Sequence, residues 1–265
     1  MDRDGLRILI VRLSAVGDVI HGLPVACALR DALPSATIGW VVEGRAGDLL
    51  EGHPAIDHLY RVPRGWLKSP RAVRSIRRQL RADKFDVAVD LQCLTKSAVM
   101  AWLSGAPRRL GAGGKDGREL SKWLNNELTN VSATHVIEHY LEILAPLAIR
   151  PGNVRFDLPE RDADGGFACR ALADLQLAEQ RFAVLNPGAG WESKLWPAER
   201  YGAVARHLHQ RHGLPSLVVW GGDGEKPLAE TIVRDGGDAT RLAPATDLRR
   251  AAAIVRRAGL FLGSD

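Results

Sequence analysis

The chain has 265 residues, 46% of them hydrophobic, enough to bury one large core or two moderate ones. No apolar run reaches the ~20 residues of a membrane span, and Met1-Asp-Arg-Asp-Gly-Leu-Arg7 lacks a signal-peptide core, so the protein is expected in the cytoplasm, in contact with a membrane only at its surface. A net charge of +5 and a pI of 9.4 point to an anionic partner: nucleic acid, a phospholipid surface or a phosphorylated sugar. Cys27, Cys93 and Cys169 have neither metal nor redox spacing and read as reduced core residues.

The first element is a short apolar strand, Ile8–Val11, followed by a small-residue loop in which Ser14, Ala15 and Gly17 allow a tight turn. The loop delivers Asp18 to a helix start at about Val19, where unpaired N–H groups and the positive dipole end favour a carboxylate. Two readings stand at this position: a helix cap and a proton acceptor over a ligand crevice. Further strands are expected at Ile38–Val42, His58–Val62 and Val87–Leu91, with helices near 19–33, 70–82 and 95–104. A helix from Thr134 to Ala148 closes this half, and Arg150-Pro-Gly-Asn153 reads as a linker. A second alternation follows: helix 163–175, strand Phe182–Leu185, helix 198–211, strand Ser216–Trp220, helix 225–234, strand Thr240–Leu242, helix 247–257 and strand Leu260–Leu262. The pattern predicts an α/β protein of two Rossmann-like, doubly wound domains, 1–150 and 151–265, with ligands outside the carboxyl ends of the strands.

Asn186-Pro-Gly-Ala-Gly-Trp-Glu-Ser-Lys194 lies between a strand and a helix, so its amides suit a diphosphate and Lys194 can neutralise it. An ordinary strand-to-helix loop with an exposed lysine is the plainer alternative. In Trp220-Gly-Gly-Asp-Gly-Glu225 the glycines let a nucleoside lie against the backbone, while Glu225 equally suits a helix first turn. Neither loop ends in Gly-Lys-Ser/Thr, and no Gly-x-Gly-x-x-Gly opens a βαβ unit, which weakens ATPase and dehydrogenase readings. Gly111-Ala-Gly-Gly-Lys-Asp-Gly117 reads as a mobile loop, with an ordering lid as the alternative.

Arg61 to Lys84 carries seven arginines and two lysines against one acid, Asp83. Arg71, Arg74, Arg77, Arg78 and Arg81 recur along one helical face and read as a solvated surface, whereas Arg61, Arg64 and Lys68 follow a strand end near the crevice and suit an anionic acceptor. No nucleic-acid motif or aromatic platform accompanies this charge, so no nucleic-acid partner is expected. His135-Val-Ile-Glu-His139 matches an inverted zinc-protease pattern by coincidence, and His207, His209 and His212 are explained by a helix C-terminus before Gly213. No metal is expected.

Arg12-Leu-Ser-Ala-Val-Gly-Asp18-Val-Ile-His-Gly-Leu-Pro24, Gly39-Trp-Val-Val-Glu43, Val89-Asp-Leu-Gln-Cys-Leu-Thr-Lys-Ser97, the two loops above and Phe261-Leu-Gly-Ser-Asp265 together resemble the bacterial ADP-heptose:lipopolysaccharide heptosyltransferases of glycosyltransferase family nine, the heptosyltransferase I branch in particular. The resemblance implies a GT-B fold, with acceptor on the N-terminal domain and nucleotide sugar on the C-terminal one. It implies an inverting, metal-independent transfer of heptose from ADP-heptose, a substrate and not a cofactor, to the Kdo of the lipopolysaccharide inner core. Asp18 is the implied base. Asn186, Gly188, Gly190, Ser193, Lys194, Trp220, Gly221, Glu225 and Asp265 are assigned to the donor, and Arg61, Arg64, Lys68, Lys96 and Arg118 to a lipid A–Kdo acceptor at the inner membrane surface. A monomer is expected. The family pattern continues beyond Asp265 with a threonine-glycine turn, a histidine and a helix, so the C-terminal domain is expected to be incomplete. The alternatives are heptosyltransferase II, another nucleotide-sugar transferase of the family, and a catalytically silent nucleotide-sugar or anionic-surface binding protein.

Overall fold

Strand β1 (Arg7–Val11) forms where four consecutive apolar residues leave no polar face to solvent. Ile8 and Ile10 enter one core, Leu9 and Val11 the core on the opposite side of the sheet. Complete burial of such side chains stabilises by about 1.5–3 kcal/mol each. The computed structural model describes residues 5–149, 152–222 and 224–264, and the chain divides into two compact units, Met1–Pro159 and Glu160–Asp265.

The N-terminal unit continues through α1 (Val16–His21), α2 (Leu23–Ala32), β2 (Thr37–Glu43), α3 (Ala46–Leu50), β3 (His58–Val62), α4 (Pro70–Ala82), β4 (Val87–Asp90), α5 (Thr95–Ser104), β5 (Arg108–Ala112), α6 (Ser121–Leu124), β6 (Glu127–Thr129) and α7 (Val136–Glu142). Its sheet is parallel, in the order β3-β2-β1-β4-β5-β6, with Ile8 opposite both Ile38 and Val87. The strand order reverses between β1 and β4, and the crevice of a doubly wound sheet opens at that point. Helices α2 and α7 pack into the core that holds Ile8 and Ile10, while α4 and α5 pack into the core that holds Leu9 and Val11.

The C-terminal unit comprises α8 (Asp162–Asp174), β7 (Ala183–Asn186), α9 (Ala198–His212), β8 (Ser216–Val218), α10 (Lys226–Gly236), β9 (Thr240–Leu242), α11 (Leu248–Arg256) and β10 (Leu260–Gly263). Its parallel sheet runs β10-β7-β8-β9, with the reversal between β7 and β10. At the edge, Leu260 and Phe261 of β10 are exposed.

Several sequence expectations need correction. The helix expected over 19–33 is two helices meeting at Gly22, where a side chain would strike the Trp40 ring at 2.9 Å, and Pro24 withholds an N–H near the second start. The helix expected from Thr134 to Ala148 is α7 followed by a 3-10 turn at Ala145–Leu147, where Pro146 cannot donate to an α-helical bond. Strand Ser216–Trp220 ends at Val218, before the glycines. Gly111 and Ala112 belong to β5 and not to a mobile loop, and Gly113 to Gly117 form a turn closed by the Gly117 N–H on the Gly113 carbonyl at 3.1 Å. Arg61 lies within β3 and not in the loop after it. Cys27 and Cys93 are buried as expected, but Cys169 is exposed on α8. The chain divides between Pro159 and Glu160, beyond the linker read at 150–153, of which residues 150 and 151 lie outside the described residues.

Candidate functional site

Asp18 is the third residue of α1, so the helix begins two residues before it and not after it. Its carboxylate accepts the Ala15 N–H at 3.2 Å, which closes the helix N-terminus, and its Oδ2 lies 2.6 Å from the Arg12 guanidinium. Capping and display over a crevice are therefore compatible at this residue. Arg12 follows β1 directly and is only 7% exposed. It donates to the Leu91 carbonyl at 3.2 Å and stands over the Tyr140 ring at 5.3 Å. The Tyr140 phenol is pushed up to about 12, chiefly by burial, so it remains protonated at neutral pH.

These groups line a cavity of about 470 Å³ at the carboxyl ends of β1 and β4, with Gln92, Cys93, Lys115, Arg118, Thr134 and His139 among its walls. Arg12, Lys115 and Arg118 outnumber Asp18 and Asp116, so the cavity favours an anion. The β4–α5 wall is shaped by Asp90, fully buried, whose carboxylate accepts the Cys93 and Gln92 N–H groups at 2.9 and 3.1 Å and the Asn125 amide at 3.0 Å. Burial raises the Asp90 pKa despite those bonds. The Cys93 thiol, pushed up to about 12 by burial and then by Asp90, is held between the Asp90 carbonyl and the Ala112 N–H, which makes it a packing group and a poor nucleophile.

A second cavity, of about 350 Å³, lies on the other side of the same β1–α1 loop and is lined by Ser14, Ala15, Val16, Glu43, Arg45, Ala46, Arg64 and Lys96. Lys96 Nζ sits 2.5 Å from the Glu43 carboxylate, whose side chain is 5% exposed. That pairing lets β2 end in a buried acid, and it leaves Arg45 and Arg64 as the remaining cations of the wall. Arg61 is engaged by Asp48, Glu51 and the Gly47 carbonyl, and neither it nor the exposed Lys68 lines these two cavities.

In the C-terminal unit, the loop after β7 and the loop after β8 converge on Glu225. This residue caps α10 rather than standing in its first turn, and its carboxylate accepts the Gly221 N–H at 2.7 Å. A Cβ on Gly188 would lie 2.5 Å from the same carboxylate, so a side chain there would displace it from its place between the two loops. The Asn186 carbonyl accepts the Ser264 N–H at 3.0 Å and the Tyr201 hydroxyl at 3.3 Å, tying the end of β7 to the residue after β10. Trp220 donates its indole N–H to the Ala243 carbonyl at 2.9 Å, and Lys226 stands over its ring at 5.7 Å. Gly190 is exposed, as are Ser193 and Lys194 in the 3-10 turn Glu192–Lys194 beside the 72% exposed Trp191. Asp265 lies outside the described residues.

Within the N-terminal unit the structure thus brings Asp18 together with Arg118, and Arg64 with Lys96, around one loop. In the C-terminal unit it brings Gly188, Gly221 and Glu225 together. Sequence reasoning assigned no role to Arg12, Glu43 or Tyr140. The available signal for Arg12 and Glu43 was position: a charged side chain immediately after, or at the end of, an otherwise apolar strand stands at the ligand-binding edge of the sheet.

The family model for glycosyltransferase family 9 (heptosyltransferase) matches residues 73–265. Lipopolysaccharide heptosyltransferase 1 of Salmonella typhimurium is 25% identical over 269 residues, covering 98% of this chain and 82% of the relative. The enzyme of the same name from Pseudomonas aeruginosa is 27% identical over 233 residues, covering 84% and 63%. Among solved structures, a family 9 glycosyl transferase from Veillonella parvula superposes with a TM-score of 0.86 at 24% identity, over 99% of this chain and 76% of that one. The E. coli heptosyltransferase WaaC with ADP-2-deoxy-2-fluoro heptose gives a TM-score of 0.80 at 23% identity, over 98% and 83%. With the family model spanning most of its length and its parallel α/β architecture matching solved heptosyltransferases, the chain belongs to glycosyltransferase family 9, the heptosyltransferases.

Proposed function

We propose that this glycosyltransferase moves a heptose from ADP-heptose to the Kdo region of a lipopolysaccharide inner-core acceptor in a single inverting displacement. The observation that carries the reading is the Asp18 carboxylate, fixed on Oδ2 by Arg12 and the Ala15 N–H at the wall of a cationic cavity. With Oδ2 engaged, Oδ1 is the atom that takes the proton of the acceptor hydroxyl as it attacks the anomeric carbon. Arg118 on one side of the loop and Arg64 on the other suit the carboxylate and phosphates of such an acceptor. Arg61 and Lys68 are assigned to the acceptor from outside the two cavities, Arg61 with its charge offset by Asp48 and Glu51.

In the C-terminal unit, the amides after Asn186, including those of Gly188 and Gly190, together with Ser193 and Lys194, take the diphosphate, whose negative charge grows as the sugar leaves. Trp220, Gly221 and Glu225 take the nucleoside, and Asp265, outside the described residues, is assigned to the donor with them. The similar E. coli heptosyltransferase WaaC is solved with ADP-2-deoxy-2-fluoro heptose, which supports the choice of donor. The work falls to amides, Lys194 and Asp18, so the reading needs no metal. The protein works as a monomer in the cytoplasm, meeting its acceptor at the inner membrane surface.

The test is incubation with ADP-heptose and a Kdo-terminated acceptor, with the product identified by mass spectrometry and its anomeric configuration by NMR. The expected product is heptosylated with inverted configuration. Retention would refute the single displacement, and donor binding without transfer would favour a silent binding protein.

A further inference from the structure

The outer surface of the N-terminal unit over α4, α5 and α6 is built differently from the rest of the chain. Arg71, Arg74, Arg77, Arg78 and Arg81 are all exposed on α4, opposite the buried Ile76 and Leu80. Among the described residues none of the five side chains makes an ion pair or hydrogen bond, and α4 contains no acid. By contrast, Arg7, Arg12, Arg30, Arg61, Arg108, Arg155 and Arg257 each hold a carboxylate. The acids near this layer are also spoken for, since Asp83 is held by Arg7 and Tyr60, and Glu119 accepts the Thr95 N–H. Like charges three and four residues apart repel along a helix, and nothing on α4 offsets that repulsion.

Helices α4 and α5 share the core behind Leu9 and Val11, and α6 packs beside α5, so the three form one layer. The layer exposes large apolar side chains as well as cations: Trp102 on α5 is 50% exposed, Leu120 55% and Trp123 85%, with exposed Lys122 between the last two. Arginine without acid, interleaved with tryptophan and leucine, is the composition that settles at the headgroup level of an anionic bilayer, the cations on phosphates and the indoles at the interface. No helix among the described residues is long and apolar enough to cross a membrane, so such contact is peripheral.

We propose that the layer formed by α4, α5 and α6 is a docking surface for a bilayer leaflet rich in anionic phospholipid, with the α4 arginines on headgroup phosphates and Trp123 inserted at the interface. The proposal stands apart from the assignment of donor and acceptor, because it requires no sugar. A surface arginine contributes roughly a fivefold gain in partitioning to an anionic leaflet. Replacing Arg74, Arg77 and Arg78 together by Ala should therefore weaken binding on the order of a hundredfold.

The experiment is sedimentation of the full chain with vesicles of two-thirds phosphatidylcholine and one-third phosphatidylglycerol, against pure phosphatidylcholine, over a salt series. The expected result is binding to the anionic vesicles alone, falling with salt, nearly lost in the triple variant and accompanied by quenching from brominated lipid that Trp123→Phe reduces. The variants' melting temperatures, matching the parent's, separate lost docking from lost folding. Binding unchanged in the folded triple variant would overturn the proposal. So would no binding to either vesicle, or a preference for duplex nucleic acid over vesicles.

Discussion

Asp90 offers a test of how the cavity wall is held. Replacing it with Ala strands three donors: the buried Cys93 N–H and Asn125 amide and the half-buried Gln92 N–H. At about 1–3 kcal/mol for each unsatisfied donor, and less the relief of no longer burying a carboxylate, Asp90→Ala should cost about 3–6 kcal/mol. Asp90→Asn is gentler, because one oxygen still accepts from the two backbone amides. The new amide then faces Asn125, whose own Oδ1 is buried without a hydrogen-bond partner. Turning Asn125 over lets that oxygen accept from the variant and leaves one donor unpaired, for about 1–2 kcal/mol. The pH dependence has a definite sign. Burial raises the Asp90 pKa in the folded state, so its contribution is fully present below the ordinary carboxylate value of about 3.9 and is lost as pH rises through the raised one. The variant has no such loss. The stability gap between parent and Asp90→Asn should therefore be widest in acid and shrink toward neutrality, measured by urea unfolding followed through tryptophan fluorescence, with Trp40 and Trp66 fully buried in this unit. A gap that stays constant or widens with pH would refute this account of the wall.

Three further outcomes follow from the sites. Lys194→Ala should weaken ADP binding by about 1.5–3 kcal/mol, the range for a charge-assisted hydrogen bond, and calorimetry showing equal affinity would remove Lys194 from the donor site. Gly188→Ala puts a methyl 2.5 Å from the Glu225 carboxylate and should drive it off the Gly221 N–H; ADP affinity is expected to fall about tenfold, or about 1.4 kcal/mol, with the melting temperature nearly kept. Neutralising Arg64 and Arg118 together should raise the acceptor KM at least about tenfold through lost charged contacts while leaving the donor KM alone, which steady-state kinetics resolves. Lys96 is left in place in that variant because its loss would strand the buried Glu43.

The strands β1, β2, β4 and β7 were legible because each is apolar on both faces, the signature of a covered parallel sheet. Strand β5 was not, because it opens on Arg108 and Arg109, which look like surface residues. Their heads are satisfied by Glu127 and by the Leu124 and Ala106 carbonyls, a solution invisible before those partners are brought near. The short α3 and α6 carry too few residues for a helical period. Asp18, the β7 loop and Glu225 announced themselves through glycines and a strand-to-helix boundary. The Arg12 contact with Asp18 and Tyr140 joins the strand end to α7 across a long sequence interval, and no local pattern encodes it. The five arginines were visible as a stripe, but only the structure shows that no acid among the described residues pairs with their side chains.

The proposed transfer turns on Asp18 taking the acceptor proton. Its most direct test is the turnover of Asp18→Asn with ADP-heptose and a Kdo-terminated acceptor, alongside the ADP affinity of the same protein. The substitution keeps the shape of the side chain and removes its basicity. Turnover should fall by ~10²–10⁴-fold with ADP affinity unchanged, and near-normal turnover would contradict the account.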